Sequence, residues 1–462
     1  MYDDCHRLLP SICNKSFRKK ETHHFTVMEQ TITQTSINHK QGLLALSPLL
    51  LFILLYVVAS VIAGDFYRMP VTIAFLAACI YAVATFRGKT LKQRIDIFCQ
   101  GAGDKDIMLM LCIFVLAGAF ANAAKEAGCI DATVCFTLSV LPDNMIMSGL
   151  FIAACFISLS IGTSVGTIVA LTPIAAGLAH STGTDVATMV AIIVGGSFFG
   201  DNLSFISDTT IVATNTQKCK MSDKFLVNSY TTIPVALIVL LIYVFMGQNT
   251  ETRHVATNVD YVDILPYLIV IITAIYGLNV VLVLTLGLIT TGIIGIAHGN
   301  YDFFGWCKAM NEGIASMGDL IVVSFLAGGL LRILSANGAL TYLIRLMTAR
   351  IRSRRSCELT IAMLVSIVNV CTANNTVAIL TVGSIAKELG DKYGVDSRKN
   401  ASILDTFSCS IQGILPYGAQ ILMAAGLASV SQMAIISNLY YPFILFGVSV
   451  LAILIRYPKK FS

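Results

Sequence analysis

The chemistry of this chain is concentrated in one polar segment between apolar stretches. Residues 195–210 read GGSFFGDNLSFISDTT, and the last ten carry two carboxylates, an amide and four hydroxyl groups. In hydrocarbon such groups are costly and need partners, so ionisable residues there indicate a functional site. Carboxylate, amide and hydroxyl oxygens are ligands for hard cations. We expect the glycines before Asp201 to kink a helix and to free backbone carbonyls as further ligands.

A buried carboxylate can also exchange a cation for a proton. Surroundings of low dielectric disfavour its charged form, so it holds a proton when no cation is bound and releases it when one binds. The seven histidines lie in the N-terminal tail or near the ends of apolar segments, so aspartate is the better proton carrier. Asp208 has an alternative interpretation, because Ser-Asp-Thr could cap the helix that continues after the break.

The composition defines the class of protein that must position these groups. Of the 462 residues, 56% are hydrophobic and 12% are charged, whereas soluble domains carry about 25% charged residues. We therefore predict an all-α polytopic membrane protein. The thirteen cysteines are scattered without C-x-x-C spacing, which favours reduced thiols in the core over metal ligands or disulfides.

Ten apolar segments are long enough to be membrane spans, which need about 20 residues. They are Leu43–Ala63, Pro70–Phe86, Ile107–Ala124, Val186–Thr214, Phe225–Met246, Tyr261–Tyr276, Asn279–Ala297, Met317–Leu334, Ala401–Leu427 and Met433–Ile455. Two further apolar runs, Ile146–Leu178 and Leu359–Ala386, are interrupted by polar residues and are interpreted as re-entrant helical hairpins. Two complete spans in place of each hairpin would give the same parity. The segment Asp131–Asn144 suits an interfacial helix.

Basic residues cluster on one side of this arrangement. By the positive-inside rule the loop from Arg87 to Lys105, the group Lys218, Lys220 and Lys224, and the later arginine and lysine clusters are cytoplasmic. Both termini are then cytoplasmic. The chain divides into a polar N-terminal tail (1–42), a first transmembrane repeat (43–247), an external linker (248–260) and a second repeat with a short basic tail (261–462). Translation could start at Met1 or Met28.

Short motifs recur between the two halves at a nearly constant offset. Leu116-Ala117-Gly118 matches Leu326-Ala327-Gly328, and Thr163 with Thr167 matches Thr372 with Thr376. Asp201-Asn202-Leu203-Ser204 matches Asp405-Thr406-Phe407-Ser408 at a slightly shorter offset. Each half holds five spans, an odd number, so the halves have opposite orientations. Inverted-topology repeats of this kind place the site between discontinuous helices at the membrane midplane.

The motif Gly-Asp-Asn-Leu-Ser-Phe-Ile-Ser-Asp-Thr-Thr at 200–210, preceded by Gly-Thr-Ser-Val-Gly-Thr at 162–167, resembles the NhaC family of sodium/proton antiporters. The resemblance extends from about Leu43 to Ile455. It implies exchange of Na⁺ for H⁺ at the plasma membrane of a bacterium, by an elevator-like motion of the hairpin-bearing domain. Leu404 and Tyr417-Gly418 depart from the family pattern, which has an acid and Trp-Asn at these places.

The resemblance and the repeat together define the expected site. From the motif, the resemblance implies cation-site roles for Asp201, Asn202, Ser204, Ser207, Asp208 and Thr209. The repeat and the hairpin tips add Asp405, Asn374, Asn375, Thr376, Thr163, Ser164 and Thr167. The sodium-binding carboxylates would be Asp201, Asp208 and Asp405, with Asp201 as the exchange carboxylate. Gln412, Pro416 and Gln420 mark a second helix break that could line the cavity.

Other functions fit the sequence less well. A Na⁺- or H⁺-coupled carrier of a carboxylate or amino acid is the main alternative, although Arg332 is the only arginine near the interior of a span. An aspartyl intramembrane protease would need Tyr-Asp and Gly-x-Gly-Asp, which Leu404-Asp405 and Phe199-Gly200-Asp201 do not match. We therefore expect no enzyme and no cofactor. The expected partners are Na⁺, H⁺ and the lipid bilayer but no nucleic acid, and a homodimer stays open.

Overall fold

The computed structural model describes residues 39–63, 70–205, 207–248, 260–349 and 351–461. Most of the predicted N-terminal tail and of the linker lies outside these ranges. The first half of the described chain forms α1 His39–Ala63, α2 Val71–Thr85, α3 Leu91–Ala102, α4 Lys105–Glu126, α5 Cys129–Val140, α6 Ile146–Ile161, α7 Ser164–Thr182, α8 Val186–Leu203, α9 Asp208–Gln217 and α10 Met221–Gly247.

The second half repeats this succession of helices. It forms α11 Leu265–Ile275, α12 Val280–Ala297, α13 Phe303–Ser316, α14 Gly318–Ala336, α15 Ala339–Thr348, α16 Arg354–Thr372, α17 Asn375–Tyr393, α18 Ser397–Ile414, α19 Ala419–Ala428, α20 Gln432–Ser437 and α21 Tyr441–Leu454. Within the described residues there are also three 3₁₀ turns, at Asp143–Met145, Tyr261–Ile264 and Lys459–Phe461. The described residues contain helices and no strand, as expected for an all-α protein.

Nine stretches of the described residues are long and apolar enough to cross a membrane. They include both arms of the predicted first hairpin, α6 with its preceding turn and α7, which have 19 residues each. The sequence predicted full spans at three further places where the structure has shorter apolar helices, which are Val71–Thr85, Tyr261–Ile275 and Tyr441–Leu454. The chain is thus a multi-pass membrane protein, but apolar length alone does not separate hairpin arms from complete spans.

The boundaries of the helices recur at a constant separation from the first hairpin tip onward. The left-handed residues Gly162 and Ala373 end α6 and α16, and the N-caps of α8 and α18 are Asp185 and Asp396. The helix ends that follow keep this separation, at Leu203 and Ile414 for α8 and α18, and at Gln217 and Ala428 for α9 and α19. The same separation makes Gln412 the counterpart of Asp201. The predicted match of Asp201 with Asp405 assumed a shorter separation and was therefore wrong.

Reciprocal contacts accompany this repeat. Helix α3 packs against α14 of the other half, and α13 packs against α4. Each pair approaches closely at two glycines, Gly101 with Gly328 and Gly118 with Gly313, where a Cβ would clash with the facing backbone carbonyl. In the same way α9 packs on α17 and α19 packs on α7.

The glycines before Asp201 do not interrupt α8, which was expected to break there. Helix α8 continues through Gly195, Gly196 and Gly200 and ends at Leu203, with Ser204 as its C-cap, and α9 follows the N-cap Ser207. A Cβ on Gly196 would lie 2.6 Å from the Cβ of Ala154, and one on Gly200 would clash with Ser158. The last two glycines therefore let α8 pack closely on α6, as small residues do between membrane helices.

Candidate functional site

Asp201 lies in the last turn of α8 and faces the N-terminus of α7. Its Oδ1 accepts the backbone N–H of Ser164 at 3.0 Å, and the side chain of the N-cap residue Thr163 makes no capping hydrogen bond. The carboxylate therefore caps the N-terminus of α7 in place of Thr163, and it lies at the positive end of the dipole of that helix. Asp201 is 5% exposed, and none of the ion pairs among the described residues includes it.

Asp405 has a different environment, because it forms a buried ion pair. Its Oδ2 lies 2.9 Å from Nζ of Lys224, and the two side chains are 0% and 1% exposed. The same oxygen accepts Nδ2 of Asn228 at 2.7 Å and Nδ2 of Asn202 at 3.1 Å. Asp405 thus has its charge compensated within the protein, whereas Asp201 does not.

Lys224 was expected in a cytoplasmic basic cluster, and this expectation was wrong. Its Nζ also donates to the backbone oxygen of Asn202 at 2.7 Å and to Oγ1 of Thr210 at 2.6 Å. The sequence carried a signal for this burial. Lys224, Asn228 and Thr232 recur every four residues on α10, so they share one helix face. Polar residues that share a face of a membrane helix are expected to point toward protein and away from lipid.

A chain of hydrogen bonds links the two predicted hairpin tips. Nε2 of Gln420 donates to Oγ of Ser164 at 3.0 Å, and Oε1 of Gln420 accepts Nε2 of Gln412 at 3.0 Å. Nε2 of Gln412 also donates to the backbone oxygen of Ala373 at the second tip, at 3.0 Å. Oε1 of Gln412 is buried and has no hydrogen-bond partner among the described residues. Gln412 therefore contacts the second tip much as its counterpart Asp201 contacts the first.

The other tip residues mostly stabilise the tips themselves. Asn374 is the N-cap of α17 and accepts the N–H of Val377 at 3.0 Å. Asn375 is buried beside Cys409, with Nδ2 3.7 Å from its Sγ, while Thr376 is half-buried. At the first tip Oγ1 of Thr167 donates to the backbone oxygen of Thr163 at 3.2 Å.

The hydroxyl groups of the 195–210 segment close the break between α8 and α9. Oγ of Ser207 donates to the backbone oxygen of Asp201 at 2.9 Å. The hydroxyl oxygen of Thr209 lies 3.2 Å from Oγ of Ser207. Oγ of Ser204 donates to the backbone oxygen of Leu159 at 3.2 Å. Asp208 is exposed in the first turn of α9, whereas Asp201 is buried.

The backbone carbonyls at the end of α8 accept hydrogen bonds from protein groups and are not left available to a cation. The carbonyl of Asn202 accepts from Lys224 and Asn228, and the carbonyl of Asp201 accepts from Ser207. The described residues contain no cluster of three His, Cys, Asp or Glu side chains that could hold a metal ion. The three carboxylates predicted for sodium therefore do not form one site. Of the two buried aspartates Asp201 and Asp405, only Asp405 has an ion-pair partner among the described residues.

Helices long enough to span the bilayer and a buried polar centre between two halves define a multi-pass membrane transport protein. The profile of the Na⁺/H⁺ antiporter family matches residues 15–248 and 261–458. The chain therefore belongs to the Na⁺/H⁺ antiporter family, as the resemblance to NhaC predicted, and is a transporter rather than an enzyme.

Curated relatives agree with this family. The chain is 25% identical over 396 residues to the Na⁺/H⁺ antiporter NhaC of Bacillus subtilis, covering 78% of this chain and 86% of the relative. It is 23% identical over 382 residues to NhaC of Alkalihalophilus pseudofirmus, covering 75% and 81%. It is 21% identical over 389 residues to a malate-2H⁺/Na⁺-lactate antiporter of Bacillus subtilis, covering 76% and 81%.

Proposed function

We propose that the protein exchanges Na⁺ for H⁺ across the plasma membrane of a bacterium by alternating access. Asp201 is the carboxylate that binds either ion. The observation that carries the proposal is the contrast between two buried aspartates, since Asp405 is ion-paired with Lys224 while Asp201 has no cationic side-chain partner among the described residues. A buried carboxylate without a compensating charge favours binding of a proton or a metal cation.

The surroundings of Asp201 support competition between the two ions. The carboxylate lies in the last turn of α8, beside the N-terminus of α7. Ser164 offers a hydroxyl oxygen, and Gln412, which is linked to Ser164 through Gln420, has a buried amide oxygen without a donor among the described residues. Oxygen ligands of this kind suit Na⁺. When Na⁺ dissociates, a proton restores neutrality at Asp201, so the two ions cannot share the site.

The repeat supports alternating access. Two halves with the same succession of helices, a constant separation between corresponding helix ends and reciprocal packing are expected for inverted-topology repeats of five spans each. In this arrangement α6 with α7 and α16 with α17 are the re-entrant hairpins, and both termini are cytoplasmic. The repeats extend over residues 43–247 and 261–462, joined by the external linker 248–260. The ions reach Asp201 when the hairpin-bearing part moves relative to the rest.

Proteoliposomes that contain the purified protein test the proposal. Na⁺ added outside should dissipate an imposed pH gradient in the wild type, and Asp201→Asn should reduce the rate to that of empty liposomes. Asp185→Asn is the matched control, because this exposed aspartate caps the opposite end of the same helix α8, away from the buried centre. Retained exchange in Asp201→Asn would remove the basis of the proposal.

A second candidate is a Na⁺- or H⁺-coupled carrier of a small carboxylate or amino acid. The similarity to a malate-2H⁺/Na⁺-lactate antiporter favours it. A carboxylate substrate needs a cationic partner, yet Lys224 is engaged in its ion pair and Arg332 is exposed. Counterflow of labelled malate, lactate or amino acids into the same liposomes distinguishes the two functions, because an exchanger of ions alone gives none.

A further inference from the structure

The environment of the Lys224 ammonium group is that of a bound cation. Its three oxygen neighbours are Oδ2 of Asp405 at 2.9 Å, the backbone oxygen of Asn202 at 2.7 Å and Oγ1 of Thr210 at 2.6 Å. These are a carboxylate, a carbonyl and a hydroxyl group, the ligand types that hard monovalent and divalent cations take in proteins. The group is sealed, because Lys224 and Asp405 are both fully buried.

The number of oxygen neighbours matches an ammonium group at Lys224. The single hydroxyl proton of Thr210 is donated to the backbone oxygen of Ser204 at 2.8 Å, so its oxygen accepts from Lys224, as the carbonyl oxygen of Asn202 does. With the carboxylate of Asp405 as the third acceptor, the three oxygens match the three N–H donors of an ammonium group.

The site is also anchored from both halves of the molecule. Asn228 donates through one nitrogen to Asp405 and to the backbone oxygen of Asn202, at 2.7 and 2.8 Å. The hydroxyl group of Tyr441 donates a hydrogen bond to Oδ1 of Asn202 at 3.0 Å. Oδ1 of Asp405 is buried without a donor among the described residues. Asp405 therefore keeps a free ligand atom that a diffusible cation could use if the lysine were removed.

We propose that Lys224 is a resident cation that permanently fills an oxygen-lined site made by Asp405, Asn202 and Thr210. The role of Asp201 in this statement rests on the proposed function. As long as the ammonium occupies the site, Asp405 binds neither Na⁺ nor a transported proton. The protein then binds one Na⁺ per chain, although it buries two aspartates at its centre. Lys224 in this view determines the number of ions bound.

Equilibrium binding of ²²Na⁺ to the purified full chain in detergent tests the proposal. The wild type should bind one Na⁺ per chain. Lys224→Ala empties the oxygen-lined site and should raise the number to two, and Lys224→Ala/Asp405→Asn should return it to one because the carboxylate is gone. Lys224→Met is the control for volume, since it fills the space without charge and should leave the number at one.

Two results would overturn the proposal. One is an unchanged number of bound Na⁺ in folded Lys224→Ala, and the other is two Na⁺ bound to the wild type. The second measurement needs no variant, so it decides even if Lys224→Ala does not fold. The increase in the number of bound Na⁺ from wild type to Lys224→Ala does not depend on which residue forms the exchange site. A failure of Asp201 in the transport assay is therefore distinguishable from a failure of this proposal.

Discussion

Removing one partner of the buried ion pair should destabilise the protein far more than removing both. Lys224→Met leaves the carboxylate of Asp405 buried without a counter-charge, and Asp405→Asn leaves the ammonium group in the same condition. Loss of one partner of a buried pair costs about 3–5 kcal/mol. The double variant Lys224→Met/Asp405→Asn removes both charges, and its free energy of unfolding should fall by less than that of either single variant.

The contacts that remain explain why the double variant should regain part of the free energy of unfolding that each single variant loses. Asn228 still donates to the backbone oxygen of Asn202, so that carbonyl keeps a partner after Lys224 is replaced. An asparagine at position 405 retains an amide oxygen for the donors Asn228 and Asn202. Only Thr210 loses a neighbour without replacement, and its hydroxyl group keeps its bond to Ser204.

The measurement is denaturant unfolding in detergent for the wild type, both single variants and the double variant. Lys308→Met is the matched control, because Lys308 forms an exposed pair with Glu312 at 3.8 Å, one turn away on α13. Surface pairs of this kind contribute at most about 0.5 kcal/mol. If the two single effects simply add in the double variant, the charges of Lys224 and Asp405 are not coupled and the reasoning is refuted.

Two further predictions concern packing and pH. Gly200→Ala should destabilise the protein because its Cβ would clash with Ser158, whereas Gly447→Ala, with no atom within 4 Å of the new Cβ, should be neutral or stabilising. Arg398 hydrogen-bonds Asp396 at 2.7 Å and keeps the pKa of that carboxyl below its ordinary 3.8. Asp396→Asn should therefore lower thermal stability at pH 7, and its difference from wild type should begin to shrink as the pH falls below 3.8 and vanish only below the lowered pKa of the folded protein; a pH-independent difference would contradict this.

The predictable part of the fold followed from local chemistry. The second helix break was expected around Gln412, Pro416 and Gln420, and α18 indeed ends at Ile414. Proline removes a backbone donor and disfavours helix for the residue before it, so this break can be read from one residue. The first break could not, because glycine in a membrane helix serves close packing as readily as it ends a helix. The prediction that relied on the glycines of α8 therefore placed that break several positions too early.

The repeat register shows a second limit. The similar tetrapeptides beginning at Asp201 and Asp405 suggested a shorter separation than the helices show, because chemical similarity over a few positions does not fix backbone position. Helix caps do, because they mark where hydrogen bonding starts and stops. Gly183 with Asp185 and Gly394 with Asp396 form the same end-and-start signal at the separation that the helices keep. Helix-boundary signals would have given the register that the short motif obscured.

Lys224 was misassigned because the positive-inside rule treats every lysine near the end of a span as a loop residue. The rule is statistical and concerns loop charge, whereas burial depends on which face of the helix the side chain occupies. Asn228, one turn further along α10, is the residue that distinguishes the two cases, because a polar residue inside a span needs a protein partner. Here that partner, Asp405, belongs to the other half and could not be placed from the register assumed.

The corrected register makes the centre asymmetric. Asp201 and Gln412 are counterparts, so only one half presents a carboxylate to its hairpin tip, and the other presents a neutral amide. The counterpart of Asp405 at the same separation is Val194, which is buried in the interior of α8. The ion pair, which joins Lys224 of the first half to Asp405 of the second, therefore has no equivalent at the corresponding positions. A repeat that began as two like halves can in this way bind a single exchangeable charge, because one half keeps the carboxylate while the other half's aspartate is neutralised by a lysine.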